Sequence, residues 1–105
     1  MYFVYNIEYK NKIIYVGYTK DIIKREKQHI YLCYKQNNKS YNKQLYVYIR
    51  KEYSDKEQGK NIIKLNKIKE FKTKVEAKRY EMFLILTDYY NKKQLLQKIP
   101  NISDR

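Results

Sequence analysis

A small α/β domain, with a three-stranded, mainly antiparallel sheet flanked by three main helices, is the fold class predicted by three features of the sequence. Residues 2–9 and 13–18 are rich in aromatic and β-branched side chains and are separated by a short polar break. Two stretches of helical periodicity follow. A third strand-like run, 61–71, then leads into a helix announced by Thr73. At 105 residues the chain suits a single domain with one modest core, and a hydrophobic content of 43% excludes wholesale disorder.

Along residues 2–9, Phe3, Tyr5, Ile7 and Tyr9 fall on one face and Tyr2, Val4, Asn6 and Glu8 on the other. The opening MYFVYNI is thus expected to be a first strand rather than a leader. Lys10-Asn11-Lys12 suits a three-residue hairpin loop, with Asn11 tolerant of a left-handed backbone. An odd-length loop puts Tyr5, Ile7, Tyr15 and Gly17 on a common face. Gly17, lacking a side chain, would let a phosphate or base approach the sheet. Tyr5 and Tyr15 are open to two readings, as ordinary half-buried strand tyrosines or as phenols of a site.

Thr19 is the expected cap of the next helix, which runs to about Leu32 with Asp21 in its first turn. Ile22, Ile23 and Ile30 offer a core face, and Asp21, Arg25 and His29 form an i, i+4, i+8 row beside it. That row is either an exposed salt bridge with a surface histidine, or a group suited to a phosphate. The planar guanidinium of Arg25 binds two oxygens at once and never loses its charge. Cys33 to Lys39 reads as a polar, basic loop.

From Ser40 as N-cap, Tyr41, Leu45, Tyr48 and Ile49 mark one side of a second helix ending near Tyr53, with Lys43, Arg50 and Lys51 on the remaining face. SDKEQGKN, residues 54–61, is the clearest loop and should tolerate insertions. Asn61 to Phe71 forms the third strand, and its apolar face switches between Leu65 and Ile68, which predicts a bulge or twist. Thr73-Lys74-Val75-Glu76 fits a capping box. In the helix it starts, Ala77, Tyr80 and Leu84 form a buried stripe with Glu81 inside it. A carboxylate there needs a cation, either a lysine or arginine partner or a metal ion. Leu95, Leu96 and Ile99 suit a short helix ended by Pro100.

Lysine plus arginine number 24 against 11 acidic residues, a net charge of +13 that favours polyanions, nucleic acid first among them. No apolar run approaches the roughly 18 residues of a membrane span. The single cysteine, Cys33, excludes an internal disulfide and a cysteine-rich zinc site, and fits a reducing, intracellular setting.

The ordered set Phe3-Val4-Tyr5, Tyr15-Val16-Gly17, Thr19, Asp21, Arg25, His29 and Glu76-Ala77 followed by Glu81 resembles the GIY-YIG nuclease family. The resemblance covers roughly residues 2–86, the core of a single domain spanning 1–105, with 87–105 as a short extension. It implies metal-dependent hydrolysis of DNA phosphodiester bonds, with Mg²⁺ or Mn²⁺ as cofactor. Tyr5 would activate the attacking water, with help from His29 and support from Tyr15. Arg25 would hold the scissile phosphate and Glu81 the metal. A tyrosine base needs its pKa of ~10 depressed by nearby cations. Tyr18 stands where some relatives have a lysine, which leaves Lys20 as a substitute. Asn91 or Asn101 corresponds to an asparagine the family often carries late in the domain.

The expected partner is DNA, duplex or branched, contacted by Gly17, Lys20, Lys24, Arg25, Lys35, Lys39 and Lys43. With no room for a separate recognition domain, specificity is expected from the domain's own loops, a homodimer or a partner protein. The alternative is a basic module that binds nucleic acid through the same fold without catalysis.

Overall fold

A computed structural model describes residues 1–91 and 95–97, the side chains of 88–91 excepted. The elements in chain order are β1 (Tyr2–Tyr9), β2 (Lys12–Thr19), α1 (Ile22–Tyr34), α2 (Gln44–Glu52), α3 (Lys56–Gly59), β3 (Asn66–Phe71) and α4 (Lys74–Asn91). The strands form one antiparallel sheet in the order β2-β1-β3. The expected fold class holds, and α3, at four residues, is the one described helix beyond the three expected. Among the described residues no helix is long and apolar enough to cross a membrane.

β1 is the middle strand, and Val4, Tyr5, Asn6 and Ile7 are all buried, so both faces of the sheet are covered. Val4 and Ile7, an odd number of residues apart, point to opposite faces. Ile7 belongs to a cluster with Cys33 of α1, Leu45, Tyr46 and Ile49 of α2, and Ile62 and Ile63. Val4 belongs to another with Val16, Ala77 and Ile85, the latter two on α4. Burying each such aliphatic side chain contributes about 1.5–3 kcal/mol, before chain entropy is counted against it.

The hairpin reaches its expected register by a different route. Lys10 and Asn11 both have positive φ, 53° and 63°, and Tyr9 pairs with Lys12, so the loop has two residues rather than three. Tyr5 nevertheless opposes Gly17, and Ile7 opposes Tyr15. The odd residue is Ile14, extruded at a bulge where the register shifts between Ile7 and Glu8.

Other boundaries move for local reasons. Asp21, not Thr19, caps α1, its carboxylate accepting from the Lys24 N–H at 3.0 Å. Thr19 Oγ1 instead turns back to accept from the Asp21 N–H at 3.2 Å. Ile23, assigned to the core, is 70% exposed; the buried positions of α1 are His29 and Cys33, one turn apart. Helix α1 therefore continues through Cys33, where a loop was expected. Helix α2 starts at Gln44 rather than after Ser40. Arg50, placed on the face away from the apolar side, donates to the carbonyls of Cys33 and Tyr41 and stacks 3.6 Å from the Tyr41 ring centroid.

The stretch 54–61 contains α3, capped by Asp55, and its Gly59 is buried under Tyr34. A Cβ there would lie 1.7 Å from Tyr34 Oη, so Gly59 is a packed position within a segment whose residues 54–58 and 61 are exposed as expected. β3 is shorter than expected, because Ile62 and Ile63 are buried ahead of it, outside the strand. The expected bulge is present: Val4 opposes Lys69 and Tyr5 opposes Lys67, leaving Ile68 extra.

The capping box of α4 forms as expected, with Thr73 Oγ1 accepting from the Glu76 N–H at 3.2 Å. Leu95 to Gln97 form no helix but run along β2. The Leu96 N–H donates to the Ile14 carbonyl at 2.8 Å, and the Gln97 amide accepts from the Val16 N–H at 2.7 Å and donates to its carbonyl at 2.9 Å. Ile99, Pro100, Asn101 and the side chain of Asn91 lie outside the described residues.

Candidate active site

Strand register and helix periodicity bring the phenols and the imidazole together. The Tyr5 and Tyr15 rings stack with centroids 6.3 Å apart, and α1 lays Arg25 and His29 over them from successive turns. His29 is 1% exposed, which excludes the surface-histidine reading. Its Nε2 lies 2.8 Å from Tyr5 Oη and its Nδ1 lies 2.6 Å from Tyr46 Oη. The Tyr15 ring meets the imidazole edge-on at 5.4 Å between centroids. Arg25 lies near enough for its charge to act on Tyr5 and Tyr15, and it donates to Gln28 Oε1 at 2.6 Å.

Tyr46 is the member that sequence reasoning missed. Tyr48, placed on the apolar side of α2, does pack partly buried against the core, but the buried positions are Leu45, Tyr46 and Ile49. The signal was present in the i, i+3 spacing of Tyr46 and Ile49, which puts both on one face.

Gly17 serves this cluster rather than a ligand. The space over it, expected to receive a phosphate or base, is filled by the Tyr5 phenol: a Cβ on Gly17 would sit 2.5 Å from Tyr5 Oη. Gly17→Ala should therefore push the Tyr5 ring out of place and cost about 1–3 kcal/mol of stability, measurable by denaturant unfolding.

Burial sets the protonation states. It pushes the His29 pKa down to about 3, helped by the charges of Arg25 and Lys43, so the imidazole is neutral. It pushes Tyr5 up, with a further push from Tyr15, and the opposing Arg25 charge does not offset this. Tyr46 and Tyr15 are raised by burial as well, and in Tyr15 the charge of Glu81 adds to the rise. The depressed tyrosine pKa expected from the sequence is therefore not found in the free protein. Desolvation of the phenolate outweighs the single guanidinium. Lys20 does not intervene, since its Nζ lies over the Tyr2 ring, 5.5 Å from the centroid.

The lowered pKa of His29 has a consequence for stability. Unfolded, His29 titrates near 6.5; folded, it stays neutral down to about 3. Between these values the unfolded chain binds the extra proton, so its contribution to stability is complete above pH 6.5 and is lost as pH falls. This one group should contribute a slope of about 1.4 kcal/mol per pH unit across that window. Denaturant midpoints of the wild type against His29→Gln, measured from pH 7 to 4, check it. The slope should be shallower in the variant.

Two clefts meet at Arg25. The larger, about 600 Å³, is lined by Tyr15, Arg25, Lys39, Lys43, Tyr46 and Gln97 among others. The smaller, about 400 Å³, is lined by Thr19, Lys20, Asp21, Lys24, Arg25 and Gln28. Of the cations expected to contact DNA, Lys20, Lys24, Arg25, Lys39 and Lys43 line these clefts, whereas Lys35, at the C-terminal end of α1, lines neither.

Glu81 is half-buried on α4, in the stripe of Ala77 and Ile85, and near enough for its charge to act on Tyr15. Among the described residues no three His, Cys, Asp or Glu side chains gather into a metal cage. One carboxylate completed by waters and a substrate phosphate is a donor set that suits Mg²⁺ or Mn²⁺, so the residues present fit such an ion.

Compared with known proteins, residues 1–94 match the family model described as the GIY-YIG catalytic domain. Neither the comparison with curated proteins nor that with solved structures gives a match.

Proposed function

The chain belongs to the GIY-YIG family and carries its nuclease-type catalytic domain, and from this premise we propose that it is a divalent-metal-dependent DNA endonuclease. The observation that supports this reading is that Arg25 stands where two lysine-lined clefts meet, with Tyr15 on one of them and the Tyr5–His29 pair buried behind.

In this reading DNA lies across both clefts with the scissile phosphate at Arg25, whose fork binds two oxygens and stabilises the charge that develops. Tyr5 takes a proton from the attacking water. Because Tyr5 is itself protonated at neutral pH, its own proton must leave in the same motion, and His29 Nε2 at 2.8 Å is the acceptor in reach. Tyr15 holds the Tyr5 ring by stacking. Glu81 would hold the metal ion, which when bound polarises the phosphate and the leaving oxygen.

Nicking of supercoiled plasmid in Mg²⁺, with an EDTA control, tests the proposal. Metal-dependent nicking supports it. Binding without nicking at any metal concentration would instead identify a non-catalytic nucleic-acid module.

Binding itself has an expected salt signature. If the five cations lining the clefts each neutralise one phosphate, log Kd should change with log salt at a slope of magnitude about 4–5. Affinity would then fall on the order of 10²–10³-fold between about 50 and 200 mM salt. Fluorescence anisotropy on a short duplex measures this, and a flat response would remove DNA as the partner.

A further inference from the structure

The contact between His29 and Tyr46 gives the cluster a second end. A neutral imidazole has one N–H to donate and one bare nitrogen to accept, and a phenol has a single proton to give. His29 has a phenol at each ring nitrogen, and for Tyr5 to pass its proton on, as proposed above, Nε2 must be the bare, accepting one. With Nε2 accepting, a neutral imidazole carries its proton on Nδ1 and donates it to Tyr46 Oη at 2.6 Å. Tyr46, though buried, is among the residues that line the larger cleft.

We propose that Tyr46 is the exit of a proton relay, Tyr5–His29–Tyr46, that holds His29 at rest as the Nδ1–H tautomer and discharges a proton into the larger cleft. The inference rests on the endonuclease reading, which requires a bare Nε2 to accept the Tyr5 proton, and on the two hydrogen bonds of His29 for the path. In the forward shift the attacking water gives a proton to Tyr5 Oη and Tyr5 gives its own to Nε2. The Nδ1 proton passes to Tyr46 Oη, and Tyr46 releases its proton to a water of the cleft. Each residue is neutral before and after, and His29 changes tautomer without ever becoming an imidazolium. This suits a site where burial and the charges of Arg25 and Lys43 oppose a cationic imidazole. After product leaves, the reverse shift restores the resting tautomer, Tyr46 taking a proton from cleft water and Tyr5 giving one to the water that refills the site. Tyr46 acts through His29 and is in that sense a positioning residue.

His29 is the only histidine of the chain, so long-range ¹H–¹⁵N correlation of the full-length labelled protein reports its tautomer without overlap. The wild type should show a protonated Nδ1 and a bare Nε2. Tyr46→Phe should move the proton to Nε2, lower kcat for plasmid nicking about tenfold or more, and leave KM unchanged. A wild-type spectrum of the Nε2–H tautomer overturns the proposal, as does a Tyr46→Phe protein with unaltered tautomer and kcat. Should that variant fail to fold, the wild-type spectrum decides alone. Absence of nicking by the wild type would refute the endonuclease reading and the discharge step with it, while the spectra still decide the resting tautomer.

Discussion

Glu81→Gln is expected to abolish cleavage while preserving the fold and DNA binding. Glutamine keeps the size of the side chain but removes the charge that a hard cation requires. Since no cluster of three or more His, Cys, Asp or Glu groups forms among the described residues, activity should not return at ordinary Mg²⁺ concentrations. Binding should tighten slightly, because one negative charge near the phosphates has gone. The Tyr15 pKa should also fall, since the charge of Glu81 contributes to its rise. A purely structural Glu81 predicts the opposite outcome. Breaking an ion pair at this half-buried position would lower stability, and the folded fraction would still cut. A melting curve, a binding isotherm and a nicking assay on this one variant distinguish the cases. Early melting with retained cleavage refutes the metal role.

Tyr5→Phe should lower cleavage by about 10²-fold or more, with DNA affinity nearly unchanged. The phenyl ring still fills the space over Gly17 and still stacks on Tyr15, so packing survives. What disappears is Oη, the atom 2.8 Å from His29 Nε2, and with it the path for the proton of the attacking water. The unpaired imidazole nitrogen should cost about 1–3 kcal/mol of stability. Tyr2→Phe is the matched control. Tyr2 belongs with the cluster on the opposite face of the sheet, and phenylalanine retains its stacking under Lys20. Single-turnover nicking rates compare the two variants, and equal rates would leave Tyr5 a packing residue.

The first half of the site was legible because it is local. Tyr5 and Tyr15 are placed by one hairpin, and Arg25 and His29 by one helix, so strand alternation and helical spacing suffice. The register was legible even though the loop was misjudged, because an extruded Ile14 supplies the odd residue expected of the loop. The other half depends on packing between distant segments. Tyr46 reaches His29 from a separate helix, and Gln97 meets Val16 from 81 residues away. No periodicity within a short window reports such contacts.

The protonation states were illegible for a related reason. Counting cations near a tyrosine says nothing of how deeply the phenol is buried, and burial decided the direction. Ile23 shows the same limit from the other side. Its apolar character suggested core, but the turn it occupies faces away from the sheet.

The way the Gln97 amide sits on Val16 has a practical corollary for anyone handling the domain. β2 is the sheet's outermost strand on that side, and an uncovered strand edge is a template for pairing with another molecule. Here a side-chain amide occupies both backbone groups of Val16, as a neighbouring strand would, and Leu96 occupies the carbonyl of Ile14. The match to the family stops at residue 94, just before these residues. A fragment trimmed to that boundary would keep every proposed catalytic side chain and lose its edge guard. It would also lose a wall of the larger cleft, so poor solubility and weakened activity would arrive together and be easily misread as a defect in chemistry.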